Sequence, residues 1–200
     1  MSSEPQISLI SYMVVGLGNP GRQYKVSRHN MGFMVLDALA NQLNLSFSRV
    51  ESKALVCKGE YKTKRLFLVK PQTYMNLSGQ AVASLVHYYA IPLTNLLIAY
   101  DDIDLPFGTL RIRPSGSSAG HKGMQSIIDR LGTNEIARLR LGVNRPEGRK
   151  MAANYVLRSF SSAELEFLPA ILSKAAQAIL TILEKGLEPA MNQFNNTIED

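Results

Sequence analysis

One histidine, one aspartate and two asparagines fall where the chain can bring them together. Asn19 follows the first apolar run, Asn76 follows the run RLFLVK, and Asp101 closes the run NLLIAY. His29 lies between the first run and the helical pattern after it, so it reaches the same edge. A histidine acts as a base at neutral pH when a carboxylate or carbonyl holds one ring nitrogen and the other takes a proton. Asp101 is the natural partner. The arrangement suits attack by water rather than by a covalent serine, because no G-x-S-x-G occurs and Ser78, Ser117 and Ser118 read as cap and loop residues. The plain alternatives are a cap or surface histidine at position 29 and a turn residue at position 101. Asp101, Asp102 and Asp104 also form an acidic cluster, but they lack a recognised cation-loop spacing and a second nearby histidine. His121 sits in a Gly/Ser loop, where it either meets substrate or only shapes the loop. His87, among aromatics in SLVHYYA, reads as structural.

The elements that must position these groups follow from periodicity. ISLISYMVVGLG is a buried strand ending near Gly16, and MGFMVLDALANQL is a helix with Asn30 as its N-cap. ALVCKG and RLFLVK form a strand pair, and Ser78 is placed to cap the helix GQAVASLVHYYA. NLLIAYDD has the continuous apolar character of a strand buried on both faces, while TLRIR alternates like an outer strand. MQSIIDRL is a helix ended by Gly132, ARLRLGV is a strand, and RPEGRKMAANYVL is a loop. The stretch SSAELEFLPAILSKAAQAILTILEKG is a long amphipathic helix capped at Ser161 or Ser162 and ended by Gly186, with a short helix after it. Strands alternating with helices predict one α/β domain over 12–193 with a largely parallel sheet, a loose lead-in at 1–11 and a tail at 194–200. In open sheets of this kind the ligand crevice lies beyond the carboxyl ends of the strands, where Asn19, Asn76 and Asp101 stand.

Gly16-Leu17-Gly18-Asn19-Pro20-Gly21 matches a dinucleotide-binding fingerprint, but the match misleads. In such a site a helix opens inside the motif. Here Pro20-Gly21 favours a turn, and no acidic residue ends a second strand about 20 residues on.

Composition bounds the partners. Apolar residues are 46% and charged residues 19% of 200, which excludes a disordered chain. The apolar runs are short and interrupted, so no membrane span is expected, and the start MSSEPQISLIS has no basic region before an apolar one. The lone Cys57 excludes disulfides within the chain and reads as a small buried hydrophobe of a cytoplasmic protein. The net charge of +6 is uneven: residues 105–158 hold ten Lys and Arg against three acids. That is the footprint of a polyanion partner, with a solvated surface as the plain alternative.

Longer motifs carry a resemblance. GLGNPG-x-x-Y-x-x-x-RHN-x-G at 16–32, KPQTYMNLSG at 70–79, YDDIDLPFG at 100–108, AGHKG at 119–123 and RLRLGV at 138–143 resemble bacterial-type peptidyl-tRNA hydrolases, in order, from about residue 12 to 193. The resemblance implies a single-domain three-layer α/β/α sandwich with a twisted mixed, mainly parallel sheet. It implies a monomer without metal or cofactor, with neither DNA nor membrane as partner. The implied reaction is hydrolysis of the ester between a peptide and the 3′ ribose of tRNA. On this likeness the catalytic residues are His29 as the base, Asp101 as its carboxylate and Asn19 as the group recognising the blocked amino end. Asn76 orients substrate, and Tyr24 and Tyr74 lie by the tRNA end or the peptide. Arg111, Arg113, Arg140 and Arg149 match positions that meet tRNA phosphates, and His121 is placed with the substrate-binding residues. The family commonly has asparagine after the loop histidine; here Lys122 stands there, a flexible cation suited to a phosphate or the 3′ ribose. Gly148 among basic residues marks 144–152 as a candidate lid. A non-catalytic RNA-binding relative would keep the basic surface without needing a working His29.

Overall fold

The computed structural model describes residues 9–146 and 152–195. Seven strands form one sheet: β1 (Ile10–Gly16), β2 (Arg49–Glu51), β3 (Ala54–Tyr61), β4 (Lys64–Pro71), β5 (Leu96–Asp102), β6 (Leu110–Arg113) and β7 (Ala137–Gly142). Their order is β2-β3-β4-β1-β5-β7-β6. The pairs β4–β1, β1–β5 and β5–β7 are parallel, and β2–β3, β3–β4 and β6–β7 are antiparallel. Only β3 and β6 therefore run against the rest, and the sheet is mixed but mainly parallel.

The helices are α1 (Met31–Gln42), α2 (Ser78–Tyr88), α3 (Lys122–Leu131), α4 (Ala152–Val156), α5 (Ser162–Lys185) and α6 (Leu187–Phe194). Strand alternation divides the core in two. Met13, Val15, Ile98 and Tyr100 face α2 and α3, while Val14, Leu97, Ala99, Leu139 and Leu141 face α1, α5 and α6. Central β5 is buried along its whole length, as its apolar run predicts. Helix α5 is long and apolar enough by composition to cross a bilayer, yet Ala175, Ala178, Ile179 and Ile182 are buried in the larger core, the place of a core helix.

Several local expectations move. Ile10 and Ser11 belong to β1 rather than to a lead-in. Phe194 is buried in the core, and Asn195 donates to the carbonyl of Ile112 and accepts from its N–H, so the chain is still engaged where a tail was expected. Ser78 is the first residue of α2, not its cap, and its hydroxyl is buried without a partner. Strand β2 and helix α4 escaped notice because each is too short for a periodic signal. The cap at Ser161 is present as a full capping box with Glu164.

Close packing sets α1 on the strand ends. A side chain at Gly32 would place its Cβ 2.3 Å from the Ala99 carbonyl oxygen and the same distance from the Leu17 nitrogen. The first turn of α1 thus rests directly on β1 and β5, which draws the turn before it toward the end of β5. Gly32→Ala is expected to lower stability by about 1–3 kcal/mol or more, since neither contact is a flexible side chain. Urea unfolding measures this; an unchanged midpoint would mean that α1 does not need that approach.

Candidate active site

The loop after β1 does not open a helix. Gly21 turns at φ 112°, short 3-10 turns follow at Arg22–Tyr24 and Arg28–Asn30, and α1 begins only at Met31. That leaves no helix N-terminus at Gly18 to face a pyrophosphate, so the glycine fingerprint has no dinucleotide geometry.

Asn30 is not a side-chain cap either. Its Oδ1 accepts from the Asn19 N–H at 2.8 Å, and its Nδ2 donates to the Asn19 carbonyl at 3.0 Å. Asn19 in turn accepts the Met75 N–H on Oδ1 at 2.9 Å. Three loops are stitched together through one asparagine. The bond from Met75 also fixes the orientation of the Asn19 amide: its oxygen faces the Met75 N–H, and Nδ2 is the donor on the other side.

His29 Nδ1 lies 2.9 Å from Asp101 Oδ1, and His121 Nε2 lies 3.1 Å from the same oxygen. His121 Nδ1 accepts the Met124 N–H at 3.2 Å and so caps α3. With Nδ1 accepting, the His121 proton sits on Nε2 and is donated to Asp101. Both nitrogens of His121 are then engaged. His29 likewise donates from Nδ1, which leaves Nε2 as its free acceptor. Tyr100 packs on His121 with ring centroids 4.7 Å apart, and His121 on His29 at 4.9 Å. Burial pushes the Asp101 carboxyl toward neutrality, but the two histidines facing it and their hydrogen bonds win and hold it well below the usual carboxylate range.

The three ligand-type atoms of His29, Asp101 and His121 lie within 4.8 Å of one another, the one grouping among the described residues with donors suited to a metal ion. The donor set argues for protons there, since Met124 already occupies the second nitrogen of His121 and the shared Asp101 oxygen receives two N–H groups. The acidic run does not converge. Asp102 pairs with Arg140 and accepts the Asp104 N–H at 2.8 Å, and Asp104 pairs with Arg145.

These groups line a cleft of about 630 Å³. Asn19, Tyr24, His29, Tyr74, Asn76, Asp101, His121 and Lys122 all belong to it, so eight residues singled out from the sequence meet in one place. Tyr74 and Asn76 are exposed at its rim, and Lys122, the exposed first residue of α3, has no acid partner among the described residues. The sequence reading had missed the apolar side of the cleft, made by Met75, Ile103, Ala153, Val156 and Leu157. A signal for it existed in the spacing of Ala153, Val156 and Leu157, within what read as a loop.

The basic stretch is less open than its count. Arg138 is fully buried and donates to the carbonyls of Gly116, Ser117, Asn134 and Ile136, which fastens the loop leading to His121. Arg140 is half-buried against Asp102, and Arg111 stands opposite it across the β6–β7 pair. Arg113 is exposed on the edge strand. None of these lines the cleft. Arg149 and most of the candidate lid at 144–152 lie outside the described residues. His87 is exposed on α2 and is not part of the cleft, so it is not the packed residue that its aromatic neighbours suggested.

Comparison with known proteins bears on what such a cleft does. A family model described as peptidyl-tRNA hydrolase matches residues 13–200. A peptidyl-tRNA hydrolase of Caldanaerobacter subterraneus subsp. tengcongensis is 45% identical over 184 residues, covering 92% of this chain and 99% of the relative. One from Chloroflexus aurantiacus is 48% identical over 185 residues, covering 92% and 98%. The solved peptidyl-tRNA hydrolase of Acinetobacter baumannii superimposes with a TM-score of 0.87 at 30% identity, covering 94% of this chain and 95% of that one. The methylthioadenosine/S-adenosylhomocysteine nucleosidase of Helicobacter pylori aligns at TM-score 0.54 but only 9% identity, a likeness of fold alone.

Proposed function

The chain belongs to the peptidyl-tRNA hydrolase family, and from that premise we propose how its residues divide the work. The reaction is hydrolysis of the ester joining a peptide to the 3′ ribose of tRNA. The observation that carries the assignment of roles is the His29–Asp101 pair, with His29 lining the cleft and its Nε2 without a hydrogen bond among the described residues.

Water held by His29 Nε2 attacks the ester carbonyl, and its proton passes to that nitrogen. Asp101 stabilises the imidazolium that results. The tetrahedral intermediate collapses, the bond to the ribose oxygen breaks, and that oxygen takes the proton. Products are a free carboxyl and a 3′ hydroxyl. Asn19 gates the substrate through its free Nδ2 donor. A blocked amino end offers that donor a carbonyl acceptor, whereas an unblocked end presents only further N–H groups. Asn76 orients the substrate by its amide, Tyr24 and Tyr74 cover an unpaired base or the extended peptide, and Lys122 meets a phosphate or the ribose. Because one copy carries every one of these groups, action as a monomer fits. A cytoplasmic setting is in keeping with the lone Cys57, a buried thiol whose pKa burial pushes up.

The test is release of an N-blocked amino acid from its tRNA ester, beside the unblocked ester, with and without chelator. Chelator-resistant cleavage of the blocked ester alone supports both the proton-based pair and the gate. No cleavage with tRNA still bound would favour a non-catalytic RNA partner.

Phosphate contacts are better sought at Arg113 than at Arg140. Removing Arg140 also strands the buried Asp102, whereas Arg113 is exposed. Arg113→Ala is expected to weaken tRNA binding and lower the salt slope by about 1. An unchanged slope would remove Arg113 from the interface.

A further inference from the structure

Ala153, Val156 and Leu157, part of the apolar side of the cleft, come from α4 and the residue after it, and a helix of five residues is too short to hold its own place. What it packs on is the turn Arg28–Asn30, the turn that carries His29. Arg28 makes most of the connection. Its guanidinium lies 4.3 Å from the Tyr155 ring centroid and 5.1 Å from that of Phe160. It donates to the Ser159 carbonyl at 2.8 Å and pairs with Glu164 at 2.6 Å, in the first turn of α5. Its own backbone N–H donates to the Arg158 carbonyl at 3.2 Å, and Phe160 N–H donates to the Val26 carbonyl at 3.3 Å. Tyr155, held under the guanidinium, donates its hydroxyl to the Val143 carbonyl at 2.7 Å, beyond the end of β7. Arg28 is itself buried, so this charge is committed to the joint and is unavailable to solvent or to RNA.

We propose that Arg28 is a positioning residue for substrate: it fixes Ala153, Val156 and Leu157 at a set distance from His29, so that the wall binds an apolar side chain on the acyl group while the ester stays over Nε2. Lysine is no replacement, because a single ammonium cannot approach two rings and fork toward a carbonyl and a carboxylate together. The proposal rests on the ester-hydrolase reading for its substrate, but not for the joint itself.

Two readouts test it. In Arg28→Lys, amide exchange across residues 152–157 should rise relative to α1 and α5; unchanged exchange overturns the joint whatever the activity. With N-acetyl-phenylalanyl-tRNA, KM should rise roughly 10-fold, the size expected when an apolar group loses a fitted wall, while kcat and the KM for N-acetyl-glycyl-tRNA change by less than about 2-fold. Leu157→Ala should reproduce that pattern, and the double variant should be no worse than either single one. Equal loss on both esters, or loss in kcat alone, overturns the proposal and places Arg28 in service of His29 instead. Should Arg28→Lys fail to fold, Glu164→Gln, which removes the paired charge and keeps an oxygen for the α5 cap, carries the same comparison. Wild-type protein that cleaves neither ester would defeat the hydrolase reading and leave the exchange result to judge the joint.

Discussion

His29→Ala should lower kcat by about 10²–10⁴-fold, the usual contribution of a positioned general base, while the affinity for a tRNA ester changes little. The asymmetry follows from geometry. His29 is held beside Asp101 and partly buried, and the groups assigned to hold RNA and peptide lie elsewhere on the cleft or outside it. His121 cannot take over, since Met124 and Asp101 engage both of its nitrogens. Single-turnover cleavage at saturating enzyme, read beside equilibrium tRNA binding, separates the two quantities. A folded variant with full turnover would remove His29 from the chemistry.

Asp101→Asn should be as damaging, on the order of 10⁴-fold in kcat if this carboxylate serves its histidine as the aspartate of a Ser-His-Asp triad does. The amide keeps the volume and one oxygen, so both rings retain an acceptor, but the charge facing the forming imidazolium is gone. Stability should respond to pH as well. The folded-state pKa of Asp101 is depressed, so its stabilising share is fully present above the unfolded value near 3.8 and is lost as pH falls through the folded value. The gap in unfolding free energy between wild type and variant should therefore be flat near neutrality and narrow in strong acid. Urea unfolding at several pH values measures it; a gap that widens in acid would contradict a depressed carboxyl.

The comparison of Asp101 with its neighbours shows how the site was and was not legible. Asp101, Asp102 and Asp104 form one acidic cluster in the sequence. Strand alternation separates them, turning Asp101 to the two histidines and Asp102 to Arg140. The same holds for the arginines. Arg138 and Arg140 read alike in RLRLGV, yet one is sealed among four carbonyls and the other reaches a carboxylate. A charge count cannot distinguish them, because pairing and burial depend on residues distant in the chain.

By itself the sequence determined the α/β class, the strands that lead to Asn19 and Asp101, the long capped helix, the edge position of TLRIR and the motifs of the family. These rest on local periodicity, cap and turn chemistry and ordered residue identities. Only the tertiary structure decided which atoms are free to react. It took Asn30 from a cap to a clamp on Asn19, turned the Asn19 oxygen to Met75, engaged both nitrogens of His121, and brought α4 across the chain onto Arg28 beside the cleft. A residue type sets what a side chain is able to donate or accept. Partners contributed by remote segments set what remains of that capacity, and catalysis uses the remainder.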